Sequence, residues 1–176
     1  MPDLRIRPAE RTDLAALTEE LGQRPFFTDR LDRQADGRGL LLTAWLRNRP
    51  IGDVYLWLEP AEEQPIRDHL PGTPLLTHLE IHPDHRKRGT GTQLISAAER
   101  VLADRGHPQV ALAVEQHNFD AMRLYRRLGY REWAHSTVEC LALSDGNTPP
   151  KAETCRIMVK QLSRVEVSRL PGQAQG

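Results

Sequence analysis

The sequence predicts a mixed α/β fold with a central, mostly antiparallel sheet of about seven strands flanked by about four helices. Three observations lead there. Leu94, Ile95, Ala98, Val101 and Leu102 recur at helical spacing and stop at Gly106, while stretches such as QVALAV (residues 109–114) read as short buried strands. Strand-like and helix-like segments alternate along the chain. A pair of strands joined by a turn signal lies toward each end. The 176 residues suffice for one domain with a real core, assigned to residues 1–163. The tail, residues 164–176, has no core pattern and is expected to fray.

The elements follow in order. LRIRPAE (residues 4–10) alternates apolar and polar residues up to Pro8 and reads as a first strand. Thr12 or Asp13 can cap a helix that carries Leu14, Leu17 and Leu21 on one face and ends at Gly22. FFTDRLDRQAD (residues 26–36) reads as a second helix with Thr28 as its cap. Residues 39–60 form two strands about a turn at Asn48, Arg49 and Pro50. A polar, proline-punctuated connection with room for one helical stretch leads to a fourth strand, LLTHLEI (residues 75–81), stopped by Pro83. After the helix and strand already described, NFDAMRLYRRLGY (residues 118–130) is a helix ended by Gly129. REWAHSTVECLAL and ETCRIMVKQL are two last strands around SDGNTPPK.

Composition excludes several classes. Lys and Arg (24) balance Asp and Glu (24), so no overall basic footprint for nucleic acid exists, and aromatic residues for base stacking are few, at 5%. The longest strongly apolar run, residues 40–46, is interrupted by Thr43 and is far short of a membrane span. The first residues are charged and lack the apolar core of a signal peptide, so a cytoplasmic protein is expected. Cys140 and Cys155 can face each other across the last turn, but without an export signal they read as two reduced structural thiols.

HRKRGTGTQL (residues 85–94) concentrates the charge that the average hides. A glycine-rich loop between a strand and a helix exposes the N–H groups of the helix's first turn at the positive end of its dipole. Gly89 and Gly91 remove the Cβ atoms that would hold an anion off the backbone, and Arg86, Lys87 and Arg88 add attraction. Phosphate is the natural ligand; an ordinary basic helix start is the plain alternative. A nucleotide-triphosphate loop would need Lys after its second glycine, and a dinucleotide fingerprint would need Gly where Leu94 stands. What is present is R-x-x-G-x-G (Arg86, Gly89, Gly91) after a strand written L-x-I-x-P (Leu79, Ile81, Pro83). Downstream comes N-x-x-A-x-x-L-Y-x-x-x-G-Y: Asn118, Ala121, Leu124, Tyr125, Gly129 and Tyr130.

In this order and spacing the two motifs resemble the GNAT superfamily of N-acetyltransferases, and the order of strands and helices agrees over nearly the whole chain. The resemblance implies a GNAT-like sheet splayed between its fourth and fifth strands. It implies acetyl-CoA as cosubstrate, with the pyrophosphate on the backbone of Arg86, Lys87, Arg88, Gly89, Thr90, Gly91 and Thr92. The pantetheine arm would pair with the main chain near Leu79 and Ile81, and Asn118 would hydrogen-bond near it or to its own helix. Tyr125 matches the position of the family's general acid. The implied function is direct transfer of an acetyl group to a primary amine of a small molecule or peptide, by a monomer or homodimer. The alternative is a catalytically weak domain that binds acyl-CoA as a sensor or partner-binding module.

The base departs from the family's patterns. Leu75, Thr77 and Ala113 occupy its usual positions and none titrates. The nearest replacements are His78 and Glu80; Glu80 is preferred, with a water relay held by Thr77 or His78 as the other option. Regular alternation would put His78, Glu80 and His82 on one face and Thr77, Leu79 and Ile81 on the other, unless a bulge intervenes. No metal is expected despite His78, His82 and His85. Trp57, Glu59, Glu62, Glu63 and Asp68 suit a cationic amine on the acceptor side; a solvated polar loop is the plain alternative.

Overall fold

The computed structural model describes residues 3–142 and 151–162. Strand β1 (Leu4–Pro8) leads through a 3-10 turn (Arg11–Asp13) into α1 (Leu14–Leu21) and α2 (Arg24–Ala35). A hairpin follows, β2 (Gly39–Leu46) and β3 (Arg49–Trp57), then α3 (Gln64–His69) and β4 (Leu75–Ile81). Next come α4 (Thr90–Asp104), β5 (Gln109–Glu115) and α5 (Phe119–Arg127), and last β6 (Arg131–Glu132), β7 (Val138–Ala142) and β8 (Lys151–Gln161). The strands form one sheet in the order β1-β2-β3-β4-β5-β8-β6, with β7 also on β8. Among the described residues only β4 and β5 run parallel; every other pairing is antiparallel.

The described residues thus hold eight strands and five helices, one more of each than the sequence suggests. The extra strand arises because REWAHSTVECLAL is broken. Arg131 pairs with Val159 and Val138 with Cys155, while the chain between them turns away at residues 134–135. Other boundaries shift for local reasons. The β2–β3 turn falls at Arg47, which takes a left-handed φ of 54°, and Asn48; Arg49 and Pro50 already belong to β3. Helix α2 starts earlier than expected because Pro25 suits a first turn, and Thr28 is inside it, donating to the Arg24 carbonyl at 2.9 Å. Asp13 turns back instead of capping α1, accepting from Glu10 N and from Arg7, each at 2.7 Å. The turn SDGNTPPK (except Lys151) and the tail from residue 163 lie outside the described residues.

Helices cover both faces, which explains why β2 and β3 are apolar almost without alternation. Leu42, Val54 and Leu56 pack with Leu94, Ile95, Ala98 and Leu102 of α4. Leu41, Tyr55 and Trp57 pack with Leu17, Phe27 and Leu31 of α1 and α2. Among the described residues no helix is long and apolar enough to cross a membrane.

Two irregularities in β4 build the site. It pairs with β5 only through Leu75–Ala111 and Leu76–Leu112; beyond Leu76 the two strands diverge, as the splay requires. On its other edge Tyr55 faces Thr77 and Asp53 faces Glu80, so the single residue Val54 opposes both His78 and Leu79. This is a β-bulge, and His78 adopts φ 52° within it. Its consequence is a change of face. Leu76, Leu79 and Ile81 all pack on the α4 side, although Leu79 lies three residues beyond Leu76. His78 and Glu80 are thereby freed for the α1–α2 side.

The close approach of β3 to β4 needs a glycine at position 52. A Cβ there would lie 2.7 Å from Ile81 Cδ1 and 2.8 Å from the Glu80 carbonyl oxygen. Gly52→Ala is therefore expected to lower stability by about 1–3 kcal/mol, read as a reduced denaturation midpoint. An unchanged midpoint would mean that β4 is free to move away.

Candidate active site

The glycine loop and the first turn of α4 form one wall of a cavity of about 1000 Å3. Gly89 precedes α4 at φ 82°, which only glycine adopts readily, and a Cβ added at Gly91 would lie 3.8 Å from the Leu79 side chain and 3.9 Å from that of Ile81. The first helical bond runs from Gln93 N to Gly89 O, leaving the N–H groups of Thr90, Gly91 and Thr92 without partners in the helix. Leu79, Ile81, Arg86, Lys87, Gly89, Thr90, Gly91 and Thr92 all line this cavity, so the structure brings most of the expected cofactor residues together. Arg88 is exposed and does not line it. Arg86 Nε donates to the Ile81 carbonyl at 3.1 Å, tying the loop to the end of β4. The opposite wall is α5, which adds Arg123, Arg126 and Arg127. The sequence reading missed these three; their spacing on a helix beginning at the Asn118 motif was the available signal.

A second cavity, about 720 Å3, shares Leu79 with the first and continues through the gap between β4 and β5. Thr77, His78, Leu112, Ala113 and Tyr125 surround it at the splay. Burial pushes the Tyr125 phenol above its ordinary pKa, so it stays protonated across the physiological range. Its ring packs edge-on against Tyr130 at 5.8 Å. Asn118 lies apart, exposed at the start of α5, where its side chain accepts from Ala121 N at 3.2 Å. This is the bond to its own helix.

On the α1–α2 side of β4 lies a group the sequence reading only half anticipated. His78 Nδ1 is 2.8 Å from Asp53 Oδ1, and its Nε2 is 2.9 Å from Gln23 Oε1. Glu80 Oε2 lies 3.3 Å from the same Nε2 and accepts from Gln23 Nε2 at 3.3 Å. The Phe26 ring stacks on the imidazole with centroids 3.7 Å apart. Gln23 reaches in because it takes a left-handed conformation (φ 57°) in the tight link between α1 and α2. Asp53 is fully buried, and burial pushes its pKa up to about 6 against the opposing hydrogen bond from His78. Asp53 was legible as a lone carboxylate in the apolar strand PIGDVYLW, whereas nothing in the sequence marks Gln23. Asp53, His78 and Glu80 bring donor atoms within 4.8 Å of one another, but both imidazole nitrogens already face oxygen partners. His82 Nδ1 instead accepts from Asp84 N at 3.2 Å.

Of the residues suggested for the acceptor side, Trp57, Glu62 and Glu63 line the second cavity. Glu59 is tied to Arg33 at 2.7 Å and Arg38 at 3.3 Å, and Asp68 is exposed on α3 away from the cavity. Cys140 and Cys155 are unpaired thiols in the cavity wall, and burial pushes both above the ordinary thiol pKa.

Residues 7–130 match the family described as Acetyltransferase (GNAT) family. The chain belongs to this family. Mycothiol acetyltransferase of Clavibacter sepedonicus is 45% identical over 56 residues, which are 32% of this chain and 18% of that protein. The chain thus spans less than a fifth of that relative's length. Among solved structures, the ribosomal-protein-S18-alanine N-acetyltransferase of Escherichia coli superposes with a TM-score of 0.68 at 18% identity, covering 94% of this chain and 98% of that one. NAA60 of Arabidopsis thaliana in complex with acetyl-CoA gives 0.68 at 21% identity, covering 91% and 99%. At these identities the two structures establish the GNAT fold for the chain.

The buried carboxyl of Asp53 yields a pH signature. Its pKa is higher folded (about 6) than unfolded, so its contribution to stability is complete below the unfolded value. That contribution is lost as pH rises from about 4, the unfolded carboxylate value, through 6. The stability of the wild type minus that of Asp53→Asn is therefore expected to fall across this window, measured by denaturant titration at each pH. A difference that stays flat would place the Asp53 proton elsewhere.

Proposed function

We propose that this GNAT-family protein is an acetyl-CoA-dependent N-acetyltransferase that moves an acetyl group directly from the thioester to a primary amine. The observation that carries this reading is the continuity of the two cavities through the β4–β5 splay. An anion-binding helix start lies at one end, and a protonated tyrosine and a carboxylate cluster lie near the middle. The pyrophosphate would rest on residues 89–92 with Arg86, Lys87 and the arginines of α5 around it. The pantetheine arm would run past Leu79 and Ile81, taking up β4 main-chain groups that β5 no longer pairs. The binding of acetyl-CoA by NAA60 supports this assignment.

In the reaction a neutral amine attacks the thioester carbonyl, a C–N bond forms, and the C–S bond breaks as the oxyanion collapses. The departing thiolate needs a proton, and Tyr125, held neutral by burial beside the splay, is the donor. The amine must lose one. His78 has a partner at each nitrogen, so it offers no open lone pair and acts as a positioning residue. Glu80, whose side chain is 31% exposed, is the accessible end of the cluster and takes the proton directly or through water. The two cysteines take no part, because transfer is direct and burial keeps both thiols protonated.

The reading is tested by thiol release from acetyl-CoA over a panel of amines. Tyr125→Phe is expected to keep acetyl-CoA affinity within a few-fold while turnover falls on the order of 10²-fold, the loss of a general acid. Wild-type turnover would reduce Tyr125 to a packing residue.

Glu80→Gln keeps shape but accepts no proton. Its defect should be largest near neutral pH and shrink as pH rises toward the amine's own pKa, because more acceptor is then already neutral. A uniform defect with a lowered melting temperature would instead mark Glu80 as structural.

A further inference from the structure

Helix α2 carries a cation into the acceptor half of the second cavity. Arg30 is 7% exposed and lines that cavity between α2 and β3. Its guanidinium carbon lies 4.7 Å from the ring centre of Phe26, 5.0 Å from Tyr55 and 5.6 Å from Trp57. A guanidinium held among aromatic rings has little water, so its donors must find acceptors in the protein or in a ligand. Asp29 supplies one, at Nη1. That carboxylate is shared, since Asp29 Oδ2 also accepts from Arg33 Nε at 2.8 Å. Arg33 is satisfied a second time by Glu59 at 2.7 Å. Arg30 Nε, by contrast, is buried without a hydrogen-bond partner among the described residues. Nε is sealed from the cavity, whereas Nη2 is not fully buried and has no hydrogen-bond partner among the described residues, so Nη2 is the donor left for a ligand.

Two further features define that ligand. Phe26 is a common neighbour, with His78 stacked on its ring at 3.7 Å and the guanidinium at 4.7 Å. The cation therefore lies within the length of one small molecule from the His78–Glu80 cluster. The remaining charge in the cavity wall is negative: Glu62, Glu63 and Glu153 have no ion-pair partner among the described residues. The acceptor half is thus dipolar, with an open guanidinium N–H in one wall and carboxylates outside any described ion pair in another.

Resting on the acetyltransferase reading, we propose that Arg30 is a carboxylate-binding subsite and that the acceptor is a small zwitterion of the amino-acid class. The ligand's carboxylate takes an Nη2–H and the second Nη1–H in the forked geometry that arginine offers. The amine end then points toward Glu80 and the β4–β5 gap, where the thioester would lie.

The test compares L-amino acids with their carboxamides and with the corresponding decarboxylated amines in the thiol-release assay. The acids are expected to be better acceptors by roughly 10-fold or more in kcat/KM, the value of a charge-assisted bond. Arg30→Lys keeps the charge but loses the fork. It is expected to raise KM for the acids by a similar factor, leave KM for acetyl-CoA unchanged, and narrow the gap between acid and amide. Because Arg30 is buried, the variant can fail to fold; the acid–amide comparison on the wild type then decides alone. Amides or simple amines that serve as well as acids would overturn the proposal, as would an equal loss on all acceptors in a folded Arg30→Lys. If no amine releases thiol, the acetyltransferase reading fails, and calorimetry decides the subsite separately. N-acetylamino acids that bind the CoA-saturated chain more tightly than their amides would uphold it, and equal binding would overturn it.

Discussion

The molecule is organised around the parting of β4 from β5 after two residue pairs. A parallel strand in the middle of a sheet normally spends its main-chain groups on both neighbours. An unpaired buried N–H or C=O costs about 1–3 kcal/mol, so a gap of several residues is tolerable only if water or a ligand fills it. The fold accepts that vacancy because the pairings on either side are long: β3 holds β4 from residue 75 to 81, and β8 holds β5 from 109 to 115. Each strand is anchored on its far edge, so the two can separate without unravelling. The glycine loop and α5 then sit at one mouth of the gap, and α2 and α3 at the other.

The bulge at His78 is the second constraint, and it follows from the first. Once β4 leaves β5, its apolar residues must still face α4, and Leu79 and Ile81 do so. Strict alternation from Leu76 would have turned them to the other side and put His78 and Glu80 against α4. One extra residue in β4 reverses this, at the expense of a left-handed histidine, which is of order 1–3 kcal/mol for a non-glycine residue. Contacts of the ring offset this: the imidazole is bonded at both nitrogens and stacked on Phe26. Asp53, opposite Glu80 in the ladder, is fixed by the same register shift. The bulge therefore assembles the carboxylate–imidazole array out of residues that sequence alternation would have scattered.

This explains which parts were legible in advance. The helices over residues 90–104 and 119–127 and the glycine loop between β4 and α4 are local features, with periodicity, glycine at a positive φ and a cap all within a few residues. They were readable, and so was the family that carries them together. The division of residues 131–142 into two short strands was not, because it depends on how two segments share the distant β8. The surroundings of the candidate base were hidden for the same reason. Period-two reasoning grouped His78 with Glu80 correctly, since the single residue Leu79 separates them, but it could not say which helices they would meet. Gln23 and Arg30 were invisible as functional candidates. Their significance comes from α2 folding back over β3 and β4 through the tight turn at Gly22 and Gln23, which places side chains more than fifty residues away in sequence against His78.

The balanced composition conceals a polarised interior. Arg86, Lys87, Arg123, Arg126 and Arg127 surround the first cavity with a single Asp120 and Glu80 among them. The second is lined by Asp29, Glu62, Glu63 and Glu153 against Arg30 and Arg33. Surface charges are screened over roughly 8 Å at physiological ionic strength, so each mouth is felt by approaching ions according to its own local charge and not the net value of zero. On the proposed reading, a polyanionic cosubstrate and an amine-bearing acceptor would enter from opposite ends, each drawn to the end that repels the other. Leu79 is the one residue shared by both cavities, uncharged and half-buried at the junction. There the two ligands would meet in the least hydrated part of the passage, next to Tyr125. Low polarity at that point favours the neutral form of an entering amine and strengthens every hydrogen bond aimed at the reacting atoms. Charge separation along the passage and an apolar junction within it are then two aspects of a single arrangement, and the parted strands are what make room for it.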